Sequence, residues 1–399
     1  MIMAFVFWVL WLILLIPTLY WVLLAIASIY TPRRRAWQNE LPQTRFAIAI
    51  PAHNEETVIA ETVNRLQELD YPAHLFSVFI VADHCSDQTA NKARAAGATV
   101  FERKEGPRSG KGAALSWLFQ KIFADPTFQA IVVFDADTRV DKNFLRVMDM
   151  RLREGSQVIQ GQHRIRNEND GWFPLLTWAM FLIDNRYQNL GRNNLGCSAK
   201  HMGDSICFRT EVLRKLGWGE GLTEDYQLRQ RLLLEGIRIE YEPEALGLGE
   251  APLTWQQARA QRARWLRGTR DASRTLAPQL LKQGIRKQNL AMLEGALQAY
   301  FPSFSTLSVI AVFFFFLLLL LYWTGRALPP SLLAAWGGLV MVLIFYPFGG
   351  LVLEKAPFKA FLAILTGPYF ILWRTALALQ ARLSRKPVVW IRTAHGRGK

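Results

Sequence analysis

Phe46-Ala47-Ile48-Ala49-Ile50-Pro51-Ala52-His53-Asn54-Glu55-Glu56 sets the fold: an unbroken apolar run, then a polar and acidic turn. A short run without alternation is what a strand covered on both faces requires, because neither face meets water. The pattern returns twice. Val78–Ala82 leads into Asp83-His84-Cys85-Ser86-Asp87, and Ile131–Phe134 leads into Asp135-Ala136-Asp137. Helical patterns alternate with these runs: Val58, Val63 and Leu66 share a face, and Leu115, Leu118, Phe119 and Ile122 form an i, i+3, i+4, i+7 stripe. Alternation of this kind predicts an α/β domain, a mostly parallel sheet with helices on both faces, over residues 45–278. Open sheets bind ligands at the carboxyl ends of their strands. A single acidic loop there reads as a solvated turn, whereas three acidic loops at one edge make a site.

Outward from this domain, the composition narrows the class. The chain has 399 residues, 51% hydrophobic and 20% charged, which suits more than one structural unit and excludes disorder. Cys85, Cys197 and Cys207 are too few for a disulfide framework and read as small core residues in a reducing compartment. His53, His163 and His201 do not share zinc spacing with them. The excess of 47 Lys and Arg over 32 Asp and Glu favours an anionic partner: nucleic acid, a membrane surface or a phosphorylated substrate.

The charge-free stretches decide among these. Met1–Tyr30 carries no charge, lacks a basic leader and ends at Arg33-Arg34-Arg35, so residues 1–32 read as a transmembrane anchor with the following chain in the cytoplasm. Residues 303–353 read as a transmembrane hairpin turning at Gly325–Pro330, after an interfacial linker helix at 279–302. Residues 357–383 are interrupted by Lys359, Arg374 and Gly367-Pro368 and read as an interfacial or re-entrant helix. Residues 384–399 form a basic cytoplasmic tail. A transporter would carry ionisable residues within its spans. A nucleic-acid binder would interleave aromatics with its cations. Neither pattern is present in the sequence.

Four further motifs bear on chemistry. Asp135-x-Asp137 offers hard oxygen ligands suited to Mg²⁺ or Mn²⁺. Gly110-Lys111-Gly112 offers close backbone approach and a point charge for an anion. Thr223-Glu224-Asp225 opens a helical run that stops near Gly236; Thr223 reads as an N-cap, and the acids would suit the helix dipole even without a catalytic role. Gln261-Arg262-Ala263-Arg264-Trp265 lies in a strongly basic stretch, with Gln261 and Trp265 on one helix face.

Taken in order, the elements at 51–56, 83, 135–137, 223–225 and 261–265 resemble the membrane-associated inverting glycosyltransferases of family 2, a group that includes cellulose, chitin and hyaluronan synthases and ceramide glucosyltransferases. The resemblance spans roughly residues 45 to 270 and implies an α/β GT-A fold with a Rossmann-like mixed sheet, beside the α-helical transmembrane segments, a nucleotide-sugar donor and a divalent metal. By the same resemblance Ala52, Glu55, Asp83, Lys111, Asp135 and Arg264 contact the donor, and Asp135 and Asp137 hold Mg²⁺ or Mn²⁺. Glu224 and Asp225 are the catalytic acids, Asp225 being the general base, and Gln261 and Trp265 contact the acceptor. The segment Gly196–Asp204 falls where the family places further acceptor contacts. His84 stands where the family often has a second acid, which opens the choice of base. The expected protein is an integral plasma- or inner-membrane enzyme with a cytoplasmic catalytic domain. It would move a sugar from a UDP-sugar to a growing polysaccharide or a lipid, forming a β-linkage. A strictly non-processive ceramide- or diacylglycerol-type glucosyltransferase is the alternative.

Overall fold

The computed structural model describes residues 1–32, 40–219, 221–253, 255–326 and 328–383. The Arg33–Arg35 triplet and the basic tail 384–399 lie outside the described residues. Eight strands form one sheet: β1 Phe46–Ala52, β2 Phe76–Asp83, β3 Thr99–Arg103, β4 Ala130–Val133, β5 Arg139–Val140, β6 Val158–Ile165, β7 Ile206–Arg209 and β8 Ile239–Gly249. Their order is β3-β2-β1-β4-β7-β6-β8-β5. The half from β3 to β4 is parallel, as the apolar runs predict. The other half is mixed: β7 runs antiparallel to both β4 and β6, β6 and β8 are parallel, and β5 is antiparallel to β8.

Both faces of the parallel half are covered. Ile48, Ile50, Val78, Ile80 and Val132 pack with Ile59, Val63 and Leu66 of the helix Ile59–Gln67 and with Phe144 and Met148 of the helix Phe144–Arg153. Ala47, Ala49, Val81, Ile131 and Val133 pack with Leu115, Leu118, Phe119 and Ile122 of the helix Lys111–Ile122. The acidic turns therefore emerge from a stiff, close-packed platform. Cys197 and Cys207 are buried, but Cys85 is not a core residue: its sulfur accepts from the Asn54 N–H at 3.4 Å between the turns after β1 and β2.

Three helices, Ile2–Ala27, Phe304–Trp323 and Pro330–Leu353, are long and apolar enough to cross a membrane. They pack together through Phe7, Leu14, Leu307, Ala311, Leu332 and Trp336. The stretch after them is two helices, Phe358–Leu365 and Gly367–Leu383, bent by 49° at the Gly-Pro step that interrupts the sequence. Lys359 bonds Asn169 at 3.0 Å and pairs with Glu168 at 3.3 Å, so the first half of this bent unit is tied to the sheet domain. It also packs on Trp172–Ile183, an apolar helix of 12 residues that the sequence reading did not single out and that is too short to span a membrane.

The boundary expected at residue 278 falls inside one continuous helix, Trp255–Lys287, which accommodates Pro278 within its length. Instead of a separate linker, residues 290–300 fold back as a helix capped by Asn289, whose side chain accepts from the Met292 N–H at 3.0 Å. Leu280, Met292 and Ala296 then bury against Leu233 of the helix Glu224–Leu234. Burial of this apolar face explains why the chain does not break at the proline.

A buried ionic node links these helices to the N-terminal apolar helix. Glu294 accepts from Arg192 Nε at 2.8 Å and from the Tyr20 hydroxyl, and it pairs with Arg229 at 3.5 Å. Arg229 belongs to the same helix as Asp225 and also donates to the Ala199 carbonyl at 2.8 Å. Burial works to raise the Glu294 pKa, but Arg192 and Arg229 outweigh it and hold the carboxyl below its usual range. Removing one member of a buried pair leaves an uncompensated charge and costs about 3–5 kcal/mol. Glu294→Ala is therefore expected to lower the melting temperature of the purified protein sharply. An unchanged melt would show that the node is not structural.

Candidate active site

Asp135 and Asp137 leave the end of β4, both partly exposed to a cavity of about 2150 Å³. Asp225, Gln261 and Trp265 line the same cavity. Residues far apart in sequence thus meet because the end of β4, the helix Glu224–Leu234 and the helix Trp255–Lys287 face one space. Ala52, Glu55 and Asp83 sit at the neighbouring ends of β1 and β2. The two turns there are laced together: His53 bonds the Asp83 carbonyl at 2.7 Å, and Asn54 accepts from the Ser86 N–H at 2.8 Å. Asn54 (φ 56°), His84 (φ 51°) and Ser205 (φ 54°) all hold left-handed backbone at these rims, at a cost of order 1–3 kcal/mol each.

Lys111 lies in the first turn of its helix and bonds the Asp135 carboxylate and, at 2.5 Å, the Gly203 carbonyl. Burial works against its charge, but Asp135, Asp204 and Glu224 outweigh it and keep the pKa above the usual lysine value. The glycine after it also has a steric role. A methyl group on Gly112 would stand 2.6 Å from the Gly219 carbonyl oxygen and 3.4 Å from Glu224 Cβ. Gly112→Ala should therefore push the 217–223 loop away and displace Glu224 and Asp225. A shift near 1 Å can cost ~10²-fold in rate. Steady-state turnover with an unchanged melt checks this, and normal turnover would show that the loop yields freely.

Thr223 occupies the N-cap position, but its hydroxyl makes no cap hydrogen bond. Its side chain packs instead against Gly268 of the long helix, where an added methyl would come within 2.6 Å of Oγ1. Asp225 Oδ1 accepts from the Tyr226 N–H at 2.8 Å, and Oδ2 would lie 3.6 Å from a methyl on Gly203. Burial and the neighbouring Asp225 lift Glu224 to about 7. Burial also raises the Asp225 pKa, although Arg264, Lys111 and the Tyr226 N–H pull it down. The two acids titrate as a pair. Arg264 donates to the Leu222 carbonyl at 3.1 Å, beside these acids.

The sequence reading missed a latch that holds the metal-type motif in place. Asp204 is buried; its Oδ1 accepts from the Asp135 N–H at 3.0 Å, and its Oδ2 meets His163 Nδ1 at 2.8 Å. Burial favours the neutral acid, but His163, Lys111 and the Asp135 N–H prevail and lower the Asp204 pKa. His163 is raised in turn, since Asp204, Asp135 and Asp137 outweigh its burial. The Gly-rich run ending at Asp204 was a signal, but its partner on β6 could not be read from it. At the second strand, Asp83 is likewise engaged: Arg103 Nη1 reaches its Oδ1 at 2.5 Å and His84 Nδ1 at 3.0 Å.

Among the described residues no three His, Cys, Asp or Glu side chains converge as a complete metal cage. Two carboxylates beside an open cavity, one of them already drawing the Lys111 ammonium, fit an oxygen-seeking ion that shares its coordination with ligand phosphates and water.

Comparison with known proteins agrees with this geometry. The chain is 29% identical over 253 residues to Probable glycosyltransferase YdaM of Bacillus subtilis, covering 59% of this chain and 57% of that one, so it spans little more than half of that relative. It is 27% identical over 385 residues to the Beta-monoglucosyldiacylglycerol synthase of Trichormus variabilis, covering 91% of this chain and 79% of that protein. Poly-beta-1,6-N-acetyl-D-glucosamine synthase of Staphylococcus aureus is 25% identical over 267 residues, covering 63% and 62%. The mannosyltransferase PcManGT of Pyrobaculum calidifontis, solved with GDP-Man and Mn²⁺, superposes with a TM-score of 0.57 at 16% identity over 96% of this chain and 99% of that one, a likeness that shows the fold. The model of the Glycosyltransferase like family 2 matches residues 42–268. That range contains the parallel strand ends, the paired aspartates, the buried Glu224–Asp225 pair and Trp265, and the chain belongs to this family of glycosyltransferases.

Proposed function

We propose that this glycosyltransferase acts from the membrane, moving one sugar from a UDP-sugar to a hydroxyl of a lipid or polysaccharide, with inversion. The observation that carries the reading is that Asp225 faces the same cavity as Asp135 and Asp137, beside a second buried acid that raises the pair. An acid placed across a cavity from the donor's diphosphate site can take a proton from an acceptor entering between them. The acceptor oxygen bonds to the anomeric carbon, the bond to the diphosphate breaks with its electron pair, and the acceptor proton goes to Asp225. One displacement inverts the centre and needs no covalent nucleophile.

Each residue has a stated task in this reading. Ala52, Glu55 and Asp83 border the nucleotide, and Arg103 fixes the Asp83 carboxylate toward it. Asp204 and His163 hold the backbone of the Asp135 turn. Trp265 gives the acceptor sugar or headgroup a flat face, with Gln261 on the same side of the helix. Lys111 and Arg264 keep positive charge near the departing diphosphate. Asp135 and Asp137 would hold Mg²⁺ or Mn²⁺, which when bound neutralises the diphosphate charge as it develops. The sheet domain is placed in the cytoplasm, the side on which nucleotide sugars are supplied.

The relatives' names, a monoglucosyldiacylglycerol synthase in one case and a poly-N-acetyl-D-glucosamine synthase in another, support both acceptor classes. The test is UDP release from a panel of UDP-sugars by the purified full chain in lipid nanodiscs, with the product anomer read by NMR. A β-linked product from an α-linked donor is expected. An α-linked product, or no UDP released from any donor, would overturn the reading.

A further inference from the structure

The cavity does not end at the catalytic acids. It continues between the apolar helices, where Phe304, Val309, Phe313, Leu343, Ile344 and Phe348 form its far wall. Arg262 and Arg374 line the same cavity as that wall and Asp225. Both are partly exposed, and they face this same space. Among the described residues neither makes a hydrogen bond or an ion pair; the Arg262 guanidinium lies over the rings of Trp265 at 5.0 Å and Phe370 at 5.5 Å. Lys200 adds a third cation at the cavity wall, and the carboxylate that faces the group, Asp184, is already bonded to Lys200 at 3.0 Å. Burial together with Arg374 pushes Arg262 down to about 9, against the pull of Asp184. Two guanidinium groups and Lys200 around the single Asp184 carboxylate leave excess positive charge, which marks a place where an anion is expected.

We propose, resting on the glycosyl-transfer reading above, that the acceptor is a phosphate-bearing membrane lipid. Its phosphate sits between Arg262 and Arg374, its chains lie along the apolar wall, and a headgroup hydroxyl reaches Asp225. One cavity supplies all three surfaces that such a molecule needs. A neutral lipid would use the wall and leave the arginines uncompensated. A soluble polymer would use neither the wall nor the arginines. The lipid enters sideways from the bilayer, and the chemistry at Asp225 is unchanged: the headgroup oxygen gains the sugar and loses its proton.

The experiment uses the full chain in phosphatidylcholine nanodiscs doped with either phosphatidylglycerol or diacylglycerol, and a radiolabelled UDP-sugar panel. Label is expected in phosphatidylglycerol in preference to diacylglycerol. Arg262→Gln with Arg374→Gln should raise the apparent KM for phosphatidylglycerol at least ~10-fold, as loss of hydrogen bonds to a charged group predicts. UDP affinity and the melting temperature should stay the same, and a lysine pair at these positions should restore most of the binding. Retention of spin-labelled phosphatidylglycerol by the purified protein, lost in the glutamine pair, gives a readout independent of turnover. Preferential labelling of diacylglycerol, equal labelling of soluble glycerophosphoglycerol, or a fall in UDP affinity in the glutamine pair would each overturn the proposal. The last outcome would assign the arginines to the donor diphosphate. UDP release with no labelled lipid would also overturn it while leaving the transfer reading intact. Absence of UDP release from every donor would mean that the transfer reading itself had failed.

Discussion

Replacing Asp225 by asparagine is expected to lower kcat by ~10²–10⁴-fold, the usual contribution of general-base assistance. Asparagine keeps the shape and can still meet the Tyr226 N–H through its amide oxygen, so the helix start should be preserved. UDP affinity should be largely unchanged, because Asp135, Asp137 and Lys111 remain. The pH profile adds a sign that a structural role would not produce. The base must be ionised to act, and burial raises the Asp225 pKa, with Glu224 beside it lifted to about 7. Turnover in the wild type should therefore rise with pH along an acid limb above the ordinary aspartate range, and the limb should vanish in the asparagine variant. Near-normal turnover in Asp225→Asn would reduce the two acids to dipole-matched residues of the helix start, worth only ~0.3–1 kcal/mol each. A loss of UDP affinity equal to the loss of turnover would move Asp225 to the donor site.

Asp137→Ala should abolish transfer, and EDTA should do the same to the wild type until Mg²⁺ or Mn²⁺ is restored. The expectation follows from charge: a diphosphate leaving beside Asp135 and Asp137 is repelled unless a cation stands between them. Lys111 provides one positive charge at Asp135, which is not enough for two carboxylates and a diphosphate. The fold should survive the change, since the Asp204 carboxylate still holds the turn through the Asp135 N–H. Turnover and circular dichroism, with and without EDTA, check both halves. Full activity of Asp137→Ala in EDTA would remove the metal from the mechanism. Asp204→Asn gives the complementary result: weaker metal dependence through a loosened turn, with Asp137 untouched.

How much of this was legible beforehand follows from the range of the interactions involved. Burial on both faces is written locally, so β1, β2 and β4 were found from their apolar runs within a residue or two of their ends. The family resemblance implied a mixed sheet, but the individual strands of its mixed half were not legible. β5 is only Arg139–Val140, and β8, Ile239–Gly249, alternates glutamates with apolar residues, contains Pro243 and pairs across an irregular register at Gly161/Gln162. Neither carries a pattern that periodicity could separate from a loop.

The sequence by itself determined that acids stand at three strand ends, that three stretches are apolar enough for a bilayer, and that a bent unit breaks at Gly367-Pro368. Only the tertiary structure decided which of these meet. It put Thr223 against Gly268 instead of on the helix N–H groups, ran one helix through Pro278, joined Asp204 to His163 and Asp135, and lined one cavity with both Asp225 and the apolar helices. The physical reason is the same in each case. Hydrophobic periodicity and composition act between near neighbours and leave a trace in every window of the chain, whereas a hydrogen bond, a close glycine contact or a shared cavity depends on the packing of segments tens of residues apart.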